Sequence, residues 1–93
     1  MKYITMLKLS AEGRKRYPEA AKLFTTCLEI TDKVGGKVLE TYAVDSTYDF
    51  VSISEYPTPE LAFEGRLKLL ELGIWDTIEA HEAFEMDLFL SKV

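Results

Sequence analysis

The chain is predicted to be an α+β protein, on three observations. Stretches rich in β-branched and aromatic residues alternate with stretches of helical period, two such strands stand together across a short polar turn, and each helical stretch ends at glycine. With 93 residues the whole chain, 1–93, is expected to form one domain.

The first stretch, KYITMLKLS at 2–10, reads as a strand, and the polar SAEGRKR that follows reads as a loop. Pro18 suits a first helical turn. Ala20, Leu23, Phe24, Cys27, Leu28, Thr31 and Val34 then recur at steps of three and four, as one face of a helix does, until Gly35-Gly36 permits a left-handed cap. A second strand is KVLETYAV, 37–44. Asp45, Ser46 and Thr47 form a turn, and a third strand runs from Tyr48 to Glu55, making a hairpin. Thr58-Pro59-Glu60 supplies a capping hydroxyl, a first-turn proline and an acid near the positive end of the helix dipole, so a second helix is expected through Leu72, closed by Gly73. Gly65 inside it costs about 1 kcal/mol relative to alanine, either for close backbone packing or as a tolerated surface glycine. WDTIEAHEAF, 75–84, reads as the fourth strand, and FEMDLFLSKV either extends it or forms a last helical turn.

The order β-α-β-β-α-β is that of the ferredoxin-like motif: a four-stranded antiparallel sheet with two helices on one face. The other face is left bare. Two bare sheets can bury each other, so a homodimer joined through the sheet face is the expectation, with residual space between the sheets as a ligand cavity. Nearly half the residues are hydrophobic (47%), more than one small core needs, which favours that pairing.

Side chains alternate along a strand. Ile4 and Met6, Val51 and Ile53, and Ile78 and Ala80 are assigned to the helix side as the more aliphatic sets. Tyr3, Thr5 and Leu7, then Phe50, Ser52 and Ser54, then Thr77, Glu79 and His81 go to the bare face. A three-residue hairpin loop would add Tyr42 beside Phe50 and Glu40 beside Ser52, whereas a four-residue loop would change that parity. Ser52 is small where a packed interface would prefer Val or Leu. The face therefore either encloses a cavity or simply meets water.

A net charge of -5, from 16 acidic against 11 basic residues, argues against nucleic acid and against an anionic membrane surface as partners. Cys27 is the single cysteine, so no internal disulfide forms. Neither a secretory signal nor a run of about 20 apolar residues is present, and the cytoplasm is the expected compartment. One histidine and scattered carboxylates supply no metal-ligand spacing, and no phosphate loop or nucleophile elbow is found; neither metal nor cofactor is expected.

Glu79 and His81 project from one side of the fourth strand. As a catalytic pair, His81 would be the general acid or base and Glu79 its orienting carboxylate, because an imidazole titrates near neutrality and a carboxylate favours its charged form. The plainer alternative is a surface histidine. Tyr3, Tyr42, Phe50 and Ser52 are the candidate ligand-binding residues. Tyr48 and Asp49 either stand at the cavity mouth or serve the turn, the acid bonding nearby amides.

KYITMLKLSAEGRK resembles the opening of the GYD-domain family, STYDFVSISEYPTPELA its hairpin strand and second-helix start, and EAHEAFEMDLF its closing strand. Tyr48 and Asp49 match the signature, while Ser46 and Thr47 stand before them with no glycine. The resemblance implies a dimeric α+β barrel and no settled activity. Similar barrels include cofactor-independent monooxygenases, so an oxidising or isomerising enzyme is one reading. A small organic or aromatic ligand without turnover is the leading one, and a purely structural dimerisation module is another.

Overall fold

A computed structural model describes residues 1–93. Along the chain come β1 (Lys2–Leu9), α1 (Ala11–Lys15), a 3-10 turn (Tyr17–Glu19), α2 (Ala20–Lys33), β2 (Lys37–Ala43), β3 (Phe50–Glu55), α3 (Pro59–Leu70), β4 (Trp75–Ala83) and α4 (Met86–Leu90). The strands form one antiparallel sheet in the order β2-β3-β1-β4. The architecture is α+β, with a four-stranded open sheet and four helices. No helix is long and apolar enough to cross a membrane.

Three elements differ from the sequence reading. The stretch expected as a loop after β1 forms α1, because Ser10 caps it: its Oγ accepts the Gly13 amide at 3.0 Å and donates to the Gly73 carbonyl at 2.9 Å. Pro18 lies in the 3-10 turn before α2 rather than in its first turn. The hairpin loop has four residues, not three, since the Val44 amide donates to the Asp49 carbonyl at 3.0 Å and the strand begins only at Phe50. Of the two alternatives for the tail, the helical one is realised as α4.

β1 and β3 present the opposite faces to those predicted, and with the four-residue loop Tyr42 and Glu40 stay on the open face. Ala43 pairs with Phe50, Thr41 with Ser52 and Val38 with Ser54, while Tyr42 pairs with Val51 and Glu40 with Ile53; a bulge at Leu39 takes up the odd residue. On the other side of β1, Thr5 pairs with Ala80 and Leu7 with Ile78, whereas Ile4 pairs with His81 and Met6 with Glu79. Directly paired residues share a face.

Tyr3, Leu7, Leu9 and Ser54 are the buried members, and they lie under α2 and α3. Tyr3, Phe50 and Ser52 therefore face the helices, not the bare side to which the sequence assigned them. Ile4, Met6, Val51 and Ile53 face away from the helices, again opposite to expectation, and Ile4 is 39% exposed. Ile78 and Ala80 under the helices, and Thr77, Glu79 and His81 on the open face, lie where they were expected. The misreading arose because β1 and β3, as inner strands, carry apolar residues on both faces, and the more aliphatic set is not the inner one.

The core is small: eleven of the 93 residues are buried. At its centre Tyr56 packs with Tyr3 and Val34, the two rings edge to face with centroids 5.9 Å apart. Gly36 and Gly65 let that ring in. A Cβ at Gly36 would overlap the ring carbons, and one at Gly65 would stand 3.0 Å from Tyr56 Oη and 3.2 Å from Val34 Cγ2. Gly65 thus resolves to close backbone packing, against a tyrosine rather than the sheet.

Alanine at position 65 gains about 1 kcal/mol of helix propensity, yet Tyr56 has no room to retreat between Tyr3 and Gly36. Gly65→Ala is expected to lose about 1 kcal/mol net, and Gly36→Ala about 2–3 kcal/mol, as overpacking of a closed core does. Urea unfolding midpoints ordered wild type, Gly65→Ala, Gly36→Ala from highest to lowest would bear this out; equal midpoints would refute it.

Candidate functional site

A cavity of about 310 Å³ lies between α2 and the sheet. Its existence follows from side-chain size. Thr5, Thr41, Ala43 and Ser52 are small, and they sit beneath a helix that cannot sink closer because Leu23, Phe24, Cys27 and Leu28 project from it on the same side. Phe50 and Trp75 close one end, edge to face with centroids 6.0 Å apart. Tyr17 and Phe24 line the cavity while remaining 54% and 47% exposed, so they mark its mouth.

The lining is chemically quiet. Fifteen of its 22 residues are hydrophobic, and no Asp, Glu or His is among them. Polar character comes from hydroxyls, notably Thr5, Thr41 and Ser52. Arg16 is the one charged side chain, and it is paired with Glu19, Nε to Oε2 at 3.1 Å. Burial pushes the Cys27 thiol above its ordinary range. The Trp75 indole N–H is buried without a hydrogen-bond partner. A thiol held protonated is a poor nucleophile and a poor metal ligand. No group of three His, Cys, Asp or Glu side chains gathers in a metal-holding arrangement anywhere in the chain.

The predicted site residues divide between the two faces of the sheet. Phe50 and Ser52 line the cavity. Tyr3 belongs to the core beneath α3, where burial raises its phenol pKa. Tyr42, Glu79 and His81 lie on the open face, across the sheet from the cavity. The six residues therefore do not form a single site. The helix side of the cavity, together with Trp75, was missed. Its signal was present in the shared parity of Thr5, Thr41 and Ser52 with Leu7 and Leu9, once the hairpin is given its four-residue loop.

Glu79 and His81 do come together, His81 Nε2 lying 3.4 Å from Glu79 Oε1, with their side chains 61% and 43% exposed. The Tyr48 hydroxyl donates to Glu79 Oε2 at 2.5 Å, reaching across β1 from the hairpin to β4. That bond raises the Tyr48 phenol above its ordinary range and lowers the Glu79 carboxyl below its own. At the other edge of the open face, on β2, the Tyr42 hydroxyl donates to Glu40.

Asp49 works on the backbone. Its amide donates to the Leu7 carbonyl at 2.8 Å, its Oδ2 accepts the Leu9 amide at 2.8 Å, and Arg14 stands 3.7 Å from the same oxygen. The family model of the GYD domain matches residues 3–93, the hairpin included. The chain belongs to the GYD-domain family. Among curated proteins nothing matches it. In this GYD domain the turn before Tyr48 needs no glycine: only Gly35 and Gly73 have positive φ, and Ser46 Oγ holds the turn by accepting the Tyr48 amide at 3.0 Å.

Two predictions follow from the signature pair of the GYD domain. Asp49→Ala leaves the partly buried Leu9 amide unpaired and should cost about 1–3 kcal/mol in urea unfolding, while Asp49→Asn, which keeps an acceptor, should cost less. Equal losses would show that the ion pair with Arg14 matters instead. The Tyr48–Glu79 bond requires an ionised carboxyl and a protonated phenol. Its contribution is therefore full between the ordinary carboxylate and phenol ranges, fading as pH falls through the lowered Glu79 pKa or rises through the raised Tyr48 pKa. Glu79→Gln should move the Tyr48 titration, followed by NMR of ring-labelled tyrosine, back towards its ordinary value; an unmoved titration would contradict this.

Proposed function

We propose that the protein is a homodimer of ferredoxin-like subunits, paired through their open sheet faces as a dimeric α+β barrel, and that each subunit holds a small, neutral, largely apolar organic or aromatic molecule between α2 and its own sheet. The cavity carries the ligand-binding part of this reading. Its 310 Å³ lies at the small end of ligand pockets, and its walls pair hydrophobic and aromatic side chains with a few hydroxyls, which is how such pockets hold and orient neutral molecules. A ligand with a full charge is disfavoured, since Arg16 at the rim already has its counter-ion.

The pairing of sheets rests on the open face. Ile4, Met6, Val51 and Ile53 form an apolar centre there, flanked by the polar Tyr42, Glu79 and His81, the arrangement of an interface with a polar rim. The ligand cavity first expected between the sheets is thereby relocated, while the dimer is kept.

An enzyme of the cofactor-independent monooxygenase or isomerase kind is a second reading, favoured by one observation: the contacts linking Tyr48, Glu79 and His81. In it, substrate lies between the paired sheets and His81 moves the proton. It predicts that His81→Ala abolishes turnover and leaves binding in the cavity unchanged.

Trp75 is the only tryptophan and Cys27 the only cysteine, and both line the cavity, so each reports on occupancy. A neutral two-ring probe such as 2-naphthol is expected to quench Trp75 fluorescence saturably and to slow labelling of Cys27 by a disulfide reagent. Ser52→Leu, which fills the cavity, should weaken that binding about tenfold or more. Quenching that neither saturates nor responds to Ser52→Leu would reject the cavity as a ligand site.

A further inference from the structure

The C-terminal arm, residues 84–93, leaves the end of β4 with its apolar side chains in water. Phe84, Met86, Phe89, Leu90 and Val93 are 55–85% exposed, and Leu88 is 45% exposed. No strand or helix packs closely on α4. A five-residue helix with no side-chain cap lies far below the roughly 12–15 residues at which an isolated helix becomes even marginally stable in water, so helix formation alone contributes little to holding it. The subunit is correspondingly extended: its radius of gyration is 13.9 Å, against about 12 Å for a compact chain of this length.

We infer that the arm packs on a second copy of this chain, extending the sheet-face interface beyond the edge of β4. This rests on the dimer proposed above. Three observations select that occupant. The root of the arm is tied to the open side of the sheet, where Lys2 Nζ, on the parity of Ile4 and Met6, meets Glu85 Oε1 at 3.0 Å. The open face carries few large apolar side chains, and Met6, Val51 and Ile53 are already half-buried within the subunit, while a stable dimer buries about 800 Å² on each partner. The arm's six exposed apolar side chains add to what that face can bury. Its charge, finally, disfavours a lipid surface: Glu85 and Asp87 outnumber Lys92, whereas helices that lie on membranes are basic on their polar side. In a two-fold dimer each arm makes the same contact on the opposite subunit.

Sedimentation equilibrium on the full chain, with circular dichroism to check folding, tests this against the sheet-face reading. Wild type is expected to be dimeric, and Phe89→Asp to weaken association about 30-fold or more, as loss of an interface anchor does, while leaving the spectrum unchanged. Ile4→Glu should do likewise from the sheet face. A Phe89→Asp dimer as tight as wild type overturns the arm inference and leaves the sheet pairing standing. Dissociation by Phe89→Asp but not by Ile4→Glu supports the arm and removes the sheet pairing; a monomeric wild type removes both. Hydrogen exchange gives a readout that needs no substitution in the arm: the α4 amides should be protected in the wild-type dimer and should exchange freely in the Ile4→Glu monomer, and unprotected amides in the dimer overturn the inference. Flotation of wild type with phosphatidylcholine–phosphatidylserine vesicles would overturn it also.

Discussion

Asp49 fastens the sheet where β1 runs on past the start of β3. Its amide reaches the Leu7 carbonyl, and its carboxylate takes the Leu9 amide that no strand residue is left to receive. This clamp sets β1 against β3 in the register that pairs Leu7 with Phe50 and Thr5 with Ser52. Because side chains alternate, one step of slippage would exchange every residue under the helices for one in the open. The cavity and the open apolar face are thus two consequences of a single register.

The elements themselves were largely legible in the sequence. Pro59 after Thr58, the three-and-four spacing from Ala20 to Val34, and the glycines at 35 and 73 each carry a local physical reason, and each marks its element to within a few residues. The faces were not legible from hydropathy, because Ile4 and Met6 are as apolar as Tyr3 and Leu7. A better guide lay at the strand ends. Leu9 precedes the Ser10 cap and Tyr56 precedes the Thr58 cap, and a residue at which the chain turns up into a covering helix belongs on that helix's side. Counting back by twos from Leu9 gives Leu7, Thr5 and Tyr3; counting back from Tyr56 gives Ser54, Ser52 and Phe50. The cavity was harder to foresee, since it is a deficit of volume beneath α2 and no single residue encodes a deficit.

Ser54 shows why the polar set was misjudged. It is only 5% exposed, although serine favours the surface, and it pairs with the buried Tyr3 and lines the cavity. Crowding around Tyr56 requires glycine at 36 and 65, whereas the small hydroxyl residues of the strands leave a void beneath α2. The same residue types, Ser and Thr, stand buried at 54 and 31 and exposed at 46 and 47, and composition alone cannot separate them.

The division between the two faces also limits what chemistry the protein can perform. Tyr48, Glu79 and His81 touch one another on the open face, and the sheet stands between them and the cavity. A molecule held against α2 meets hydroxyls, aromatic rings and a protonated thiol, none of which exchanges a proton readily near neutral pH. Binding in the cavity is therefore separable from any acid-base step at His81. A reaction inside the cavity would have to draw its acidity from the bound molecule itself, with the protein contributing orientation and exclusion of water. A reaction at His81 would require a second subunit to enclose it, since an imidazole this exposed shares its protons with solvent. In the readings proposed above, a carrier and a catalyst would thus differ in which side of the sheet a bound molecule occupied.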